Sequence, residues 1–460
     1  MRVLVVSTYE LGHQPLSAAT ASAALLDAGH EVRCVDVAVD TLERAEVDWA
    51  DRVAFSVPMH TAMRLALRVA ATIRVPRPDL PMCFFGLYAG MGRELTVTSP
   101  ADAIIAGEYE AGLVAWAAGE DHGAPVQLPR SPGRVPLRDL LPPLGRYTRL
   151  AVGGEERLVG SVAASRGCSH RCRHCPVPVV YDGRVRPTDE AAVLADVESV
   201  VAAGARHISF ADPDFLNAPH HARRVVAAIH QRHPDLTFDA TIKVEHILRY
   251  PDALPQLAEA GCVFVVSAFE SVSDPILACL VKGHTGADAS EAVIALRAHS
   301  IEVRPSWLPF TPWTTPDDLV ALMDFVINHD LIANVDPVQY CVRLLVPDGS
   351  LLLGEPAMTP HVTGYDPARL GWTWTHPDPA MDHLQDQIAG LVEAQVGQAP
   401  ERTFEEVDAL IRACAKTSSA RPTLGAVSGG PPGGRAHLTE PWFCCSEPTE
   451  AQLAPLAPLA

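Results

Sequence analysis

The chain of 460 residues has no uninterrupted apolar stretch of membrane-spanning length. Its apolar start, Met1 to Ser7, is too short for the hydrophobic region of a secretory leader and has no small-residue cleavage site. Positive charge is also scarce. With 36 Lys and Arg against 55 Asp and Glu, the net charge of −19 removes the basic footprint that non-specific nucleic-acid binding needs. Neither a membrane nor nucleic acid is expected as a partner, although a local basic pocket for a small anion stays open. Without a visible leader the chain is expected in the cytoplasm, where thiols stay reduced, and a disulfide framework for its 11 cysteines is disfavoured.

What is present is a regular alternation of short apolar runs and amphipathic stretches. Residues 2–7, 31–37, 53–57, 81–85 and 103–106 read as strands, with helices at 16–28 and 61–73. This succession predicts an α/β domain over residues 1–120, Rossmann- or flavodoxin-like, whose ligands bind beyond the strands' C-terminal ends at 8–15, 58–61, 86–90 and 107–110. Six prolines and Gly133 mark 121–157 as a linker, and its arginines, Arg130, Arg134, Arg138, Arg146 and Arg149, read as solvated. Alternation returns over 158–343, with strands expected at 158–163, 206–210, 237–242, 262–267, 302–308 and 335–342. Six strand–helix units fit a partial TIM-type barrel, (β/α)6, with its active residues at the strands' C-terminal ends. Helices at 380–396 and 403–415 form a C-terminal extension over 344–417. The rest, 418–460, is an irregular tail that opens Gly-, Pro- and Ser-rich.

The densest chemical signal follows the first barrel strand. Ser165-Arg166-Gly167-Cys168-Ser169-His170-Arg171-Cys172-Arg173-His174-Cys175-Pro176 places three cysteines within eight residues. At CxxxCxxC spacing, Cys168, Cys172 and Cys175 can hold three irons of a 4Fe-4S cube. Such cubes are ordinarily held by four cysteines, so the fourth iron is left for a substrate or cofactor. Zinc is the rival ligand because His170 and His174 sit among the cysteines, but a second knuckle at suitable spacing is lacking. A non-catalytic iron-sulfur or zinc sensor would use the same residues. Arg166, Arg171 and Arg173 make the loop electropositive, which favours thiolates.

This spacing resembles the signature of the radical S-adenosylmethionine (radical SAM) superfamily, and the resemblance extends over 158–343. It implies an enzyme with a 4Fe-4S cluster on the three cysteines, S-adenosylmethionine as cofactor, and an external electron donor of flavodoxin or ferredoxin type. Phe210-Ala211-Asp212-Pro213-Asp214-Phe215 stands where the superfamily often has Gly-Gly-Glu, and looks like the Asp-containing variant of cobalamin-linked and methylthiolating branches. The resemblance implies that Asp212 meets the methionyl amine; a turn or N-cap aspartate is the alternative. Phe269-Glu270-Ser271, followed by Lys282-Gly283, resembles the family's Glu-Ser stretch, whose carboxylate reaches the adenosyl ribose. Lys243 and Arg304 are expected to bind the methionyl carboxylate or the substrate, or else to be structural ion pairs, and Arg343 shares that ambiguity. The N-terminal domain resembles the cobalamin (B12)-binding domain that precedes many radical SAM barrels. It lacks the DxHxxG motif of one cobalamin class, reading Tyr9-Glu10-Leu11-Gly12-His13-Gln14-Pro15 instead. Cobalamin without a protein axial ligand therefore stands beside a domain that only shapes a substrate or partner site, and the histidines His13 and His60 are open to an ordinary hydrogen-bonded role.

Near the end, Pro441-Trp442-Phe443-Cys444-Cys445-Ser446-Glu447-Pro448 resembles the tail of a radical SAM group known by its CUAEP/CCAEP motif, with Ser446 in place of Ala. Adjacent cysteines do not readily bridge each other, yet together they offer two soft donors. Cys444 and Cys445 are expected to be catalytic, binding a thiophilic substrate such as a metalloid or relaying electrons by dithiol exchange, with the tail folded over the barrel mouth. The resulting expectation is reductive cleavage of S-adenosylmethionine to modify a small, thiophilic molecule. A cobalamin-dependent radical SAM methyltransferase is the alternative.

Overall fold

The computed structural model describes residues 1–91, 101–130, 133–416 and 435–440. Arg2–Ser7 (β1), Glu31–Asp36 (β2), Arg52–Ser56 (β3), Met82–Phe85 (β4), Ala103–Gly107 (β5) and Val126–Gln127 (β6) form a parallel sheet in the order β2-β1-β3-β4-β5-β6. Its inner strands β1, β3, β4 and β5 are largely continuous buried apolar runs because both faces are covered, whereas the edge strand β2 alternates. Leu16–Asp27 and Glu110–Ala118 pack against Val3, Val5, Ala54 and Phe85 on one side. Arg44–Trp49 and His60–Arg74 pack against Leu4, Val6, Val53 and Phe55 on the other. Strand order reverses between β1 and β3, so the crevice beyond Ser7 and Ser56, which pair in register, is the topological switch point.

The segment read as a linker contributes to both sheets. It supplies β6, and its end begins the second sheet as Arg149–Val152 (β7), a hairpin with Glu155–Val162 (β8) turning through Gly153 and Gly154, both at positive φ. Arg138 contradicts the expectation of solvated linker arginines. It is buried, and its Nε and Nη2 grip the two oxygens of Asp196 at 2.7 and 2.9 Å while Nη2 also donates to Ser161 O. A short turn rich in proline docks here because this paired charge anchors it to the barrel wall.

Ser165–Gly167 (β9) pairs with Val185–Pro187 (β10) and brackets the cysteine loop. From β8, the parallel wall continues through His207–Phe210 (β11), Thr237–Thr241 (β12), Cys262–Glu270 (β13) and Glu302–Trp307 (β14). The half-barrel is thus formed, but its sixth strand is reduced to one bridge between Phe310 and Arg343. The stretch expected at 335–342 is largely a 3-10 turn, Pro337–Cys341, because Pro337 has no N–H to offer a ladder. Arg343 is a structural residue here, 2.6 Å from Asp382 and 3.6 Å from the Trp374 ring centroid.

Val362–Asp366 (β15) and Gly371–Trp374 (β16) form a hairpin beside the barrel, and helices Pro379–Ala394 and Pro400–Ala415 close its core through Met381, Ile388, Phe404 and Val407. The last described segment adds His437–Leu438 (β17) antiparallel to β7, and Tyr9 donates to Glu440 at 2.7 Å. Among the described residues, no helix is long and apolar enough to cross a membrane.

Candidate active site at the cysteine loop

The loop is held at both ends before any cofactor is considered. Just past β11, Asp212 accepts hydrogen bonds from the Ala164 N–H at 2.8 Å and from the Ser165 hydroxyl, fixing the turn that leads into the cysteines. Burial pushes the Asp212 carboxyl up to about 7 against the pull of these bonds. Further along, the Arg173 N–H donates to Leu280 O, the Cys175 N–H to Cys172 O at 3.2 Å, and Asn217 Nδ2 to Cys168 Sγ at 3.4 Å. Cys168, Cys172 and Cys175 are thiols, not disulfide halves. Burial raises the Cys168 thiol, and its neighbour Cys172 adds to the effect. Lys282 lies close enough to interact with both Cys172 and Cys175, so the three sulfurs share one electrostatic neighbourhood. Three soft donors on one short loop beside a buried cation fit a three-thiolate iron-sulfur cluster.

The strongest charge in the site belongs to Glu270. Burial alone would raise its pKa, but Lys282 at 3.3 Å and His174 at 3.1 Å outweigh it and hold the carboxylate down at about 2. Both bonds fall on Oε1. Glu270 also sits at φ +64°, a left-handed conformation costly for a side chain of its type, at a register shift between β13 and β14. Strain of this kind clusters at functional sites. Lys282 and Gly283 return the chain so close to Lys243 that a Cβ on Gly283 would lie 2.7 Å from Glu245 Oε2. His284 follows, buried and lowered by desolvation to about 4 against a bond to the Phe269 backbone, and His174 Nδ1 is without a partner. An unpaired imidazole nitrogen beside an ionised carboxylate suits a polar zwitterionic ligand such as S-adenosylmethionine.

The other expected residues are distributed differently. Lys243 reaches His170 Nδ1 at 3.0 Å and Glu245 at 3.2 Å, beside the cysteine loop. Arg304 lies level with Val266, four residues short of Glu270, and is engaged by Asp336 at 2.9 Å and by Ala436 O. This position matches its structural reading, because both partners close the barrel away from the loop. The loop arginines are paired in turn: Arg166 with Glu110 and Glu108 and over the Tyr109 ring, Arg171 with Asp182, Arg173 with Glu355. The cation that interacts with Cys172 and Cys175 is Lys282, itself paired with Glu270, which sequence reading quoted only as part of a motif. Asn217 was also missed, and His174 was read only as a possible zinc ligand. The position of His174 between two ligand cysteines was a usable signal, whereas nothing around Asn217 marked it. Cys444 and Cys445 lie outside the described residues.

The N-terminal sheet presents its C-terminal edge to this loop. Met59, Met63 and Tyr88 share one apolar cluster with Val177, Val180 and Tyr181, against which Cys168 and Cys175 pack. His60 is buried, bonded through Nε2 to Arg369 O at 2.8 Å, and desolvation holds it at about 4; His13 is lowered to about 4 for the same reason. At the switch point the Ser56 hydroxyl is buried without a partner, an orphaned polar atom of the kind a polar ligand would satisfy. A cavity of about 390 Å³ lies between the two halves, lined by Thr20, Glu108, Glu110, Arg166, Arg186 and Asp196 among others.

A parallel sheet whose binding edge faces a three-cysteine loop at the mouth of a half-barrel defines a two-cofactor-domain architecture. Comparison with known families agrees: residues 162–326 match the radical SAM superfamily and residues 2–117 the B12 binding domain. The chain therefore carries the catalytic domain of radical SAM enzymes, which uses a 4Fe-4S cluster and S-adenosylmethionine, behind a B12-binding domain. Among curated proteins it is 26% identical over 211 residues to ribosomal protein uS12 methylthiotransferase RimO of Chloroherpeton thalassium, covering 42% of this chain and 48% of that protein. It is 24% identical over 265 residues to an uncharacterized methyltransferase, PH0819, of Pyrococcus horikoshii, covering 55% and 56%. The chain thus spans about half the length of the curated relatives it matches. In fold it is similar to the cobalamin-dependent radical enzyme OxsB solved with aqua-cobalamin and S-adenosylmethionine, with a TM-score of 0.65 at 15% identity over 89% of this chain and 70% of that one. It is also similar to the methyltransferase TsrM from Kitasatospora setae solved with cobalamin and a [4Fe-4S] cluster, with a TM-score of 0.56 at 16% identity over 90% and 100%.

Proposed function

We propose that the chain is a cobalamin-dependent radical SAM methyltransferase. This reading replaces the metalloid chemistry first expected, whose support rests on Cys444 and Cys445. The observation that carries it is the single apolar cluster joining the B12-binding edge, through Met59 and Tyr88, to Cys168 and Cys175. Methyl transfer between two bound cofactors requires both in one dry space, and this packing excludes water between their sites. In a loaded enzyme the bound groups supply a low-potential iron-sulfur electron, a methyl or 5′-deoxyadenosyl fragment, and a methyl carrier.

The chain's own residues bind and orient. Cys168, Cys172 and Cys175 would hold the cluster, with Lys282 balancing its negative charge. Glu270, fixed by Lys282 and His174, would accept from the adenosyl ribose. Asp212 would act through the loop it positions, and Lys243 would stand near the methionyl carboxylate. Ser56 would face the bound cobalamin. The similarity to proteins named as methyltransferases and methylthiotransferases favours a methyl-type outcome over adenosyl modification alone. The acceptor is expected to be a small molecule, and an external flavodoxin- or ferredoxin-type donor supplies the electron.

The test is anaerobic purification with cobalamin supplied, followed by metal analysis and turnover with methyl-labelled S-adenosylmethionine. Cobalt and iron bound together, with label passing to an acceptor or to the protein-bound cobalamin, is expected. Full iron with no cobalt retained, and 5′-deoxyadenosine as the sole product, would overturn it.

A further inference from the structure

Beside the cysteine loop, three groups converge that have no role in the site above. His170 comes from the loop itself, Asp214 from the turn after β11, and His246 from the helix Val244–Arg249 that follows β12. One ligand atom from each lies within 4.8 Å of the others. His170 Nε2 is 3.2 Å from His246 Nε2 and 3.6 Å from Asp214 Oδ2, and His246 Nδ1 is 2.7 Å from the same oxygen. Asp214 Oδ2 is the shared partner of both imidazoles, and the Asp214 and His246 side chains are at least nine-tenths buried, at 3% and 5% exposure.

We propose that His170, Asp214 and His246 form a binding site for a divalent transition ion of the zinc class, distinct from the three-cysteine site. Two imidazoles and one carboxylate match the ligand types and number of open zinc sites, and ligands about 2.0–2.1 Å from a tetrahedral ion stand roughly 3.3 Å apart, between the 2.7 and 3.6 Å that separate Asp214 Oδ2 from His246 Nδ1 and His170 Nε2. Imidazole donors also select against calcium and magnesium.

The surroundings are arranged to orient these donors. Asp214 Oδ1 caps the Leu216 N–H at 3.3 Å and lies 3.5 Å from the Lys243 N–H, which fixes the carboxylate with Oδ2 turned to the two imidazoles. With His170 Nε2 on the ion, its Nδ1 must carry a proton, so Lys243 Nζ, now 3.0 Å from that nitrogen, has to give way to Glu245 Oε2 at 3.6 Å as the acceptor. Lys243, the nearest cation, is paired with Glu245 at 3.2 Å, which offsets its charge. An ion here would tie the cysteine loop to the ends of β11 and β12, because His170 lies midway between Cys168 and Cys172.

The full chain, anaerobically reconstituted with iron and sulfide, should be given zinc chloride and desalted. Iron and zinc are then counted by mass spectrometry, and the zinc ligands read by X-ray absorption. About one zinc per chain, with a nitrogen and oxygen shell near 2.0–2.1 Å, is expected on top of the full iron complement. In Asp214→Asn and His246→Gln, zinc should fall at least fivefold while iron is unchanged. If those variants also lose iron, Glu245→Gln serves instead, with zinc affinity reduced about tenfold and iron kept. Wild-type protein that retains no zinc overturns the proposal, as does a sulfur shell near 2.3 Å. So does zinc binding that is unaltered in the variants. The iron count separately reports on the cluster, so failure of this site is distinguishable from failure of the radical SAM reading.

Discussion

At the barrel rim, Glu270 and Lys282 form a buried charged pair at 3.3 Å, and His174 is bonded to the same carboxylate oxygen at 3.1 Å. At the switch point of the N-terminal sheet the buried groups are uncharged: Ser56 has no partner, and desolvation holds His60 near 4, while the buried carboxylates Glu108 and Glu110 lie beyond β5 and are paired with Arg166. The rim is built in advance for a small, strongly polar ligand, with its electrostatic cost already met by pairing. The switch point offers apolar area and an uncharged polar atom, which suits a large ligand held mainly by contact. Each half therefore fits a different cofactor.

The comparison breaks most completely at the cysteines. Cys172→Ala should drop iron from about four per chain to a small residue and abolish cleavage of S-adenosylmethionine, measured by iron assay and product analysis, while the N-terminal domain still binds cobalamin. Next in size is Glu270→Gln, which leaves Lys282 buried without its counter-charge. A loss of about 3–5 kcal/mol in denaturant unfolding is expected. A loss below about 1 kcal/mol would show that the pair is not pre-formed.

Two carboxylates of the same rim should respond to pH in opposite directions. Glu270 is depressed to about 2 from an unfolded value near 4.3, so its contribution is complete above that value and disappears as pH falls towards 2. Asp212 is raised to about 7 from near 3.9, so the folded state binds the extra proton between these values and stability declines as pH rises through that window. Asp212→Asn should flatten the decline between pH 4 and 7, read by chemical denaturation at each pH. An unchanged slope would remove the burial argument for Asp212. The smallest effect belongs to the neutral side. Ser56→Ala should alter apo stability by less than about 1 kcal/mol, since its hydroxyl has no bond to lose, yet lower cobalamin occupancy. Unaltered occupancy would move the ligand away from the switch point.

Periodicity was legible wherever the burial pattern of a strand or helix was set locally. The five strands β1 to β5 and the strands β8, β11, β12, β13 and β14 all lie where apolar runs predicted them. The sixth barrel strand was misread because Val335, Val338 and Val342 are apolar in either conformation, and only the missing N–H of Pro337 favours the 3-10 turn. Arg138 was misread because a buried ion pair leaves no trace in composition until Asp196, 58 residues away, is brought to it.

The sequence by itself determined the order of the two domains and the three-cysteine loop, because hydrophobic period and ligand spacing are local properties of the chain. Tertiary structure decided which charges those ligands face. Lys282 rather than the loop arginines stands beside the thiols, Asp212 holds the loop's entry, and His170 meets Asp214 and His246. Each of these pairings joins residues from separate strands and loops, so only the closing of the half-barrel wall brings them within reach.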